Sequence, residues 1–114
     1  MLTREQILAA QELKTDTVEA PEWGGTVIVR ELPAAERLAF FADLEALKGT
    51  DERQNNLLAS ALFVCRTVID AEGKRVFQDE DAEPLTLKNE ATLQTVANKA
   101  AELNGICAEK TAGN

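Results

Sequence analysis

The chain has 114 residues, with 12 Lys and Arg against 20 Asp and Glu, a formal net charge of −8 and no histidine. Its length corresponds to one domain with a single modest core, and an apolar fraction of 45% is ordinary for a globular protein. The lack of histidine excludes His general bases, His-assisted nucleophiles and imidazole metal ligands. The excess of carboxylates argues against binding along a nucleic-acid backbone.

The N-terminal residues predict a short helix. Thr3 and Gln6 have the spacing of a capping box, and Leu2 and Ile7 stand at the positions of a hydrophobic staple. We therefore expect a helix from about Thr3 to Glu12. The charges in this segment occupy the place where a signal peptide has its apolar stretch, so no targeting segment is predicted.

A β-hairpin is expected next. Residues 17–20 alternate in polarity, and residues 26–30 form a run rich in β-branched side chains, which favours a strand. Between them lies Pro21-Glu22-Trp23-Gly24-Gly25. Proline and paired glycines at this point indicate a hairpin whose loop is longer than two residues.

Two helices should follow the hairpin. Pro33 suits the first turn of a helix, and Gly49 suits the residue after its last turn. Thr50 is the expected N-cap of the next helix, with Asp51 and Glu52 in its first turn. That helix has the most hydrophobic stripe of the chain, so we expect it at the centre of the fold; the stripe consists of Leu57, Leu58, Ala61, Leu62, Val64, Cys65 and Val68.

The C-terminal part predicts a turn and a last helix. Residues 70–74, with Gly73 left-handed, separate two short strand-like runs and indicate a small hairpin. A helical stripe then ends at Asn104-Gly105, a common stop signal. The predicted fold is therefore α+β, a predominantly helical single domain over residues 1–105 with about four helices and one or two short β-hairpins. Residues 106–114 are predicted to form a flexible tail.

Reactive groups are sparse. Cys65 lies within an apolar run, Cys107 reads as a free thiol, and two thiols cannot complete a four-ligand zinc site. Reduced cysteines suit a cytoplasmic protein. The acidic run at 79–81 lacks the glycine of a calcium loop, and the glycines do not form a phosphate loop. The apolar run 57–65 is far shorter than the roughly 20 residues of a membrane span. We predict no catalytic, cofactor-binding or metal-binding residues.

Three aromatic residues are the candidates for protein contacts. Trp23 stands at a loop tip, where it can either cover the core of the hairpin or anchor a partner. Phe40 and Phe41 are adjacent and point to different sides of one helix. One of the two is therefore expected to be available for self-association or for a partner.

Two motifs make the chain resemble a known family. They are P-E-W-G-G-x-V around Trp23 and D-x-x-G-K-R-x-F over residues 70–77, and they stand between Leu2-Thr3-Arg4-Glu5-Gln6-Ile7-Leu8 and Leu103-Asn104-Gly105. Over nearly its whole length, up to Gly105, the chain resembles the small tail assembly chaperones of long-tailed bacteriophages and their prophages. The resemblance implies a mainly helical fold with a small β element.

The resemblance also implies a non-enzymatic function without a cofactor. Such chaperones bind the phage tape measure protein in the host bacterial cytoplasm, keep it soluble while the tail tube assembles, and are absent from the mature virion. Partners implied are the tape measure protein, the tail tube protein through a frameshifted longer form, and further copies in an oligomer or spiral, with neither nucleic acid nor membrane involved. Two alternatives stay open: a virion structural part, such as a head–tail connector or tail completion protein, and an acidic mimic of nucleic acid.

Overall fold

A three-stranded antiparallel sheet and five α-helices make up the part of the chain that the computed structural model describes, residues 1–47 and 50–106. In chain order the elements are α1 (Arg4–Ala9), β1 (Thr15–Ala20), β2 (Gly25–Arg30), α2 (Ala34–Leu44), α3 (Glu52–Thr67), β3 (Val68–Ile69), α4 (Ala82–Leu85) and α5 (Glu90–Leu103). Helix α5 packs against β1, β2 and α3. The α+β class and the predominance of helix are therefore confirmed.

The first hairpin forms as predicted. Strands β1 and β2 pair from Thr15 opposite Arg30 to Ala20 opposite Gly25. The loop between them is one turn of 3-10 helix over Pro21–Trp23, which ends at Gly24 with φ of +94°. Glycine adopts the left-handed conformation without the steric cost that a Cβ atom imposes. Gly24 therefore allows the chain to reverse direction at this point.

The second predicted hairpin is only partly present. Strand β3 pairs with β2, with Ile28 opposite Ile69, and completes the sheet in the order β1-β2-β3. Its partner in the prediction contributes a single bridge between Ile69 and Arg75. Backbone hydrogen bonds flank this bridge, from the Asp70 N–H to the Lys74 carbonyl oxygen at 2.8 Å and from the Val76 N–H to the Val68 carbonyl oxygen at 3.1 Å. The Arg75 side chain donates to the carbonyl oxygen of Cys65 and to Asp79.

The helix ends show two corrections. Asp51, and not Thr50, is the N-cap of α3, because the carboxylate of Asp51 accepts a hydrogen bond from the backbone N–H of Gln54 at 2.9 Å. Pro33 is the residue before α2 and not its first residue. Gly49, the predicted end of α2, lies outside the described residues. The four-residue α4 was not predicted, and Gly105 ends α5 with φ of +71° as expected.

The core is built around α3. All residues from Ala61 to Thr67 are buried, which confirms α3 as the central helix, and Cys65 is a buried apolar residue as predicted. Val29 of the sheet and Leu93 of α5 complete the centre of the core. Ile106, assigned to the tail from the sequence, packs against this core; residues 107–114 lie outside the described residues.

The N-terminal segment is the least packed part. The Thr3–Gln6 capping box is present, but α1 ends at Ala9 and none of its residues is buried. Leu2 and Ile7, the expected staple, are both exposed. The radius of gyration of 15.0 Å exceeds the roughly 13 Å of a compact chain of this length. We call residues 1–13 the N-terminal arm.

Candidate protein-binding site

An apolar groove runs between α2, α3 and α5. Its volume is about 180 Å³ and most of its lining is apolar. We call it the α2–α3–α5 groove; it is lined by Phe40, Phe41, Leu44, Ala59, Ser60, Phe63, Gln94, Ala97, Asn98, Ala101 and Ile106. Its lining includes the small residues Ala59 and Ser60 of α3 and Ala97 and Ala101 of α5, which leave space for another helix to lie against them.

The two phenylalanines of α2 have different positions in this groove. Phe40 is 5% exposed and its ring lies 4.9 Å from that of Phe63, so it is a core residue. Phe41 is 41% exposed and contacts Phe40 edge-on, with ring centroids 5.5 Å apart. The Arg37 guanidinium lies 5.7 Å from the centre of the Phe41 ring. Of the two candidates, Phe41 is therefore the one at the surface and Phe40 lies buried beside it, and a protein contact at either residue stays a prediction.

Trp23 does not join this groove. It is half-buried and packs against the core, the first of the two alternatives expected from the sequence. Beside it, the Thr92 hydroxyl donates a hydrogen bond to Glu22 at 3.1 Å, which ties the hairpin loop to α5. The indole Nε1 is buried and contacts no hydrogen-bond acceptor within the described part of the chain.

A second groove lies between the first half of α3 and α4. It has a volume of about 430 Å³, and we call it the α3–α4 groove; it is lined by Gln54, Leu57, Leu58, Glu83, Pro84, Thr86 and Leu87. Leu87 at its edge is 86% exposed. The sequence does not indicate this groove, because the four-residue α4 is too short to produce a periodic pattern.

A network of ion pairs holds α2 against α3. Arg66 is only 8% exposed, and its guanidinium donates to Asp43 at 2.6 Å and to Asp79 at 3.0 Å. Arg75 donates to Asp79 at 2.8 Å. Burial by itself would lower the pKa of Arg66, but the hydrogen bonds to Asp79 and Asp43 outweigh it and raise that pKa. This network was missed, although Arg66 is the single charge in the apolar run of α3.

The described residues carry few reactive features. Over 1–47 and 50–106, three or more metal-binding side chains nowhere come together, and no helix has the length and apolarity needed to cross a membrane. The Cys65 thiol is buried in the core. The two apolar grooves are therefore the candidate binding sites in the described part of the chain.

Comparisons with known proteins agree with the fold. No curated protein matches the chain. The solved structure of the bacteriophage HK97 tail assembly chaperone is similar, with a TM-score of 0.63 and 20% sequence identity over 87% of this chain and 94% of that one. The family model described as phage tail assembly chaperone matches residues 3–114. The chain therefore belongs to the phage tail assembly chaperone family.

Proposed function

We propose that this protein binds the tape measure protein of a phage tail and keeps it soluble while the tail tube assembles. The observation that carries the proposal is the α2–α3–α5 groove, an apolar surface with Phe41 exposed at its edge. Family membership supports a role in tail assembly, and the groove supplies a place for a client.

The groove suits an apolar helical segment. A helix presents apolar side chains at every third or fourth residue, and such a row can lie along the seam between two helices. Ala97 and Ala101, one turn apart on α5, leave room for side chains from the client. Phe41 adds a rigid aromatic surface of the kind that dominates binding energy in protein interfaces. Phe40 supports the Phe41 ring from below.

The charge of the chain supports the same function. A formal net charge of −8 opposes aggregation of the chaperone and of any complex that it forms with an apolar client. Weak sites gain affinity when many copies bind along one long client. The role requires neither a catalytic step nor a cofactor.

The proposal includes the setting of this activity. The protein acts in the cytoplasm of the bacterial host and leaves before the virion is mature. A frameshifted longer form contacts the tail tube protein. We propose Trp23 as a second contact residue. It lies at the other end of α5 from Ile106, and it can contact a partner only if the hairpin loop opens.

Co-expression with the tape measure protein tests the proposal. The wild-type chain should move that protein from the insoluble to the soluble fraction. Phe41→Glu should remove most of this effect, because it places a charge at the edge of the groove. Val76→Glu is the matched control, since Val76 is comparably exposed and lies outside the groove. Unchanged solubility of the client with the wild-type chain would contradict the proposal.

The runner-up function is a virion structural part, such as a head–tail connector or a tail completion protein. The two functions differ in whether the protein stays in the particle. Mass spectrometry of purified virions should find no stoichiometric amount of this chain, and its presence at such an amount would favour the structural part.

A further inference from the structure

We infer that Gln94 determines which client segments the α2–α3–α5 groove accepts. The segment bound there carries an uncharged hydrogen-bonding side chain, that of an asparagine, glutamine, serine or threonine, opposite the Gln94 amide. This inference rests on the proposed function, because it concerns the chemistry of the client in the same groove. It starts from a polar side chain in a groove whose lining is mostly apolar.

The Gln94 amide has one polar end that is open to the groove. Gln94 is half-buried, and its Oε1 accepts a hydrogen bond from the Ser60 hydroxyl at 3.1 Å. Within the described residues, its Nε2 donates to no acceptor. A hydroxyl can donate to the oxygen of an amide or accept from its nitrogen, so Ser60 occupies one end of the amide in either orientation. The other end is free to bind a client.

The groove has an apolar end and an amide end. The Arg37 guanidinium donates to the carbonyl oxygen of Asn104 and lies 5.7 Å from the centre of the Phe41 ring, so Phe41 lies near the C-terminal end of α5. Gln94 precedes Asn104 on the same helix by about 15 Å along the axis. A client helix can therefore place an apolar side chain against Phe41 and a polar one against Gln94, about two to three turns away.

The surroundings of Gln94 favour an uncharged partner. Among the described residues that line the groove, none is charged. A charged side chain of the client would lose its water there without gaining a counterion, and this penalty exceeds the gain from one hydrogen bond. Asn98, one turn further along α5, contributes a second amide to the lining. An amide or a hydroxyl is therefore the group that this end of the groove can bind.

The same geometry disfavours a client whose contacting face is apolar throughout. Such a face would cover the Gln94 amide and leave its open end without water and without a partner. A buried polar group without a partner weakens binding roughly tenfold. Ala97 lies three residues after Gln94 in the lining, and its small side chain lets the client approach closely enough to form the hydrogen bond. Gln94 thus selects among apolar helices by the one polar group that they carry.

Overlapping synthetic peptides that cover the tape measure protein are the probe. Fluorescence anisotropy measures their affinity for the wild-type chain and for Phe41→Glu, and the peptides that lose affinity with Phe41→Glu are those bound in the groove. In each of these peptides, every asparagine, glutamine, serine and threonine is then replaced singly by leucine. We expect one position at which leucine lowers the affinity for the wild-type chain roughly tenfold.

Gln94→Met tests the residue itself, because it keeps the length of the side chain and removes its hydrogen bonds. It should bind the original peptide roughly tenfold more weakly than wild type does, and the leucine-substituted peptide at least as tightly as the original. Ser60→Ala removes the bond between α3 and α5 but keeps the Gln94 amide, so it should retain the wild-type preference. Thr95→Val, at an exposed residue of α5 outside the groove, should retain it too.

The outcomes separate this inference from the proposed function. A Phe41-dependent peptide that binds Gln94→Met as tightly as wild type would overturn the inference and leave the proposed function standing. The same holds if no polar position of the peptide matters, or if Ser60→Ala or Thr95→Val loses the preference equally. If no peptide depends on Phe41, both fail. Because the peptide substitutions need only the wild-type chain, they test the inference even if Gln94→Met destabilises the fold.

Discussion

The side chain of Asn104 holds the backbone of Leu32, 72 residues away in the sequence. Its Oδ1 accepts a hydrogen bond from the Leu32 N–H at 2.7 Å, and its Nδ2 donates to the carbonyl oxygens of Ala100 at 2.8 Å and Arg30 at 3.2 Å. One buried amide thus joins the end of β2 to the end of α5. Because α2 starts just after Leu32, the same amide sets the position of α2 beside the α2–α3–α5 groove.

Replacing this amide should destabilise the fold. Asn104→Ala leaves the Leu32 N–H and the Arg30 carbonyl without their partner, and we expect the free energy of unfolding to fall by about 1–3 kcal/mol. Urea denaturation followed by circular dichroism measures it. Asn98→Ala, on an exposed residue of the same helix, is the control, expected within about 0.5 kcal/mol of wild type. Equal losses in both variants would contradict the role of Asn104.

The Arg66 network predicts a dependence on pH. Hydrogen bonds from Arg66, followed by those from Arg75, hold the pKa of Asp79 below its usual value. A carboxylate with a lowered pKa in the folded state stabilises above the unfolded pKa of about 3.9, and this contribution is lost as pH falls through the folded pKa. Asp79→Asn should therefore lower the free energy of unfolding by about 1 kcal/mol at pH 7. The expected loss is small because half of the Asp79 side chain is exposed to solvent, which screens its ion pairs.

The control for Asp79 is its neighbour. Glu80→Gln removes an exposed carboxylate of the same acidic run and should leave the free energy of unfolding nearly unchanged at every pH. The difference between Asp79→Asn and wild type should shrink below about pH 4. A difference that stays constant down to pH 3 would show that the ion pairs do not cause it.

Two adjacent glycines, Gly24 in the hairpin loop and Gly25 at the start of β2, should respond differently to the same substitution. Gly24 has a left-handed φ of +94°, whereas Gly25 does not, and added Cβ atoms would meet open space at both. Gly24→Ala should therefore lower the free energy of unfolding by about 1–2 kcal/mol. Gly25→Ala should change it by less than about 0.5 kcal/mol. Equal effects in thermal or urea denaturation would contradict the backbone argument.

The Cys65 thiol should be unreactive in the folded protein. Burial, with a further contribution from Asp81, raises its pKa to about 11. At pH 8 only about one thiol in a thousand would be the reactive thiolate. In a Cys107→Ser background, a thiol reagent should label Cys65 only after guanidinium is added. Leu87→Cys in that background is the exposed control and should react at once; rapid labelling of native Cys65 would contradict its burial.

The local elements were largely predictable from sequence. The Thr3–Gln6 capping box, the hairpin around Gly24, the left-handed Gly73 and the end of α5 at Gly105 all depend on residues within one turn of each other. Such preferences act over a few residues and can be read without the fold. The C-terminal end of α1 was less predictable from sequence. Where this helix ends depends on its contacts with the rest of the fold, and none of its residues is buried.

The candidate site was predictable only in part. A sequence with two adjacent phenylalanines indicates that one faces the solvent, but not which one. The structure decides this, since Phe63 of α3 covers Phe40 and leaves Phe41 at the surface. No sequence pattern indicates the α3–α4 groove. Leu57 and Leu87 line it because tertiary packing brings them together, and no periodic pattern links the two positions.

By itself, the sequence determined the class of fold, the absence of histidine chemistry and the family motifs around Trp23 and Gly73. These follow from composition and from short-range conformational preference. Only the tertiary structure decided that β3 joins the sheet, that Arg66 is buried between Asp43 and Asp79, and that the arm is left uncovered. Those outcomes depend on contacts between residues far apart in the chain, where burial and pairing outweigh local preference.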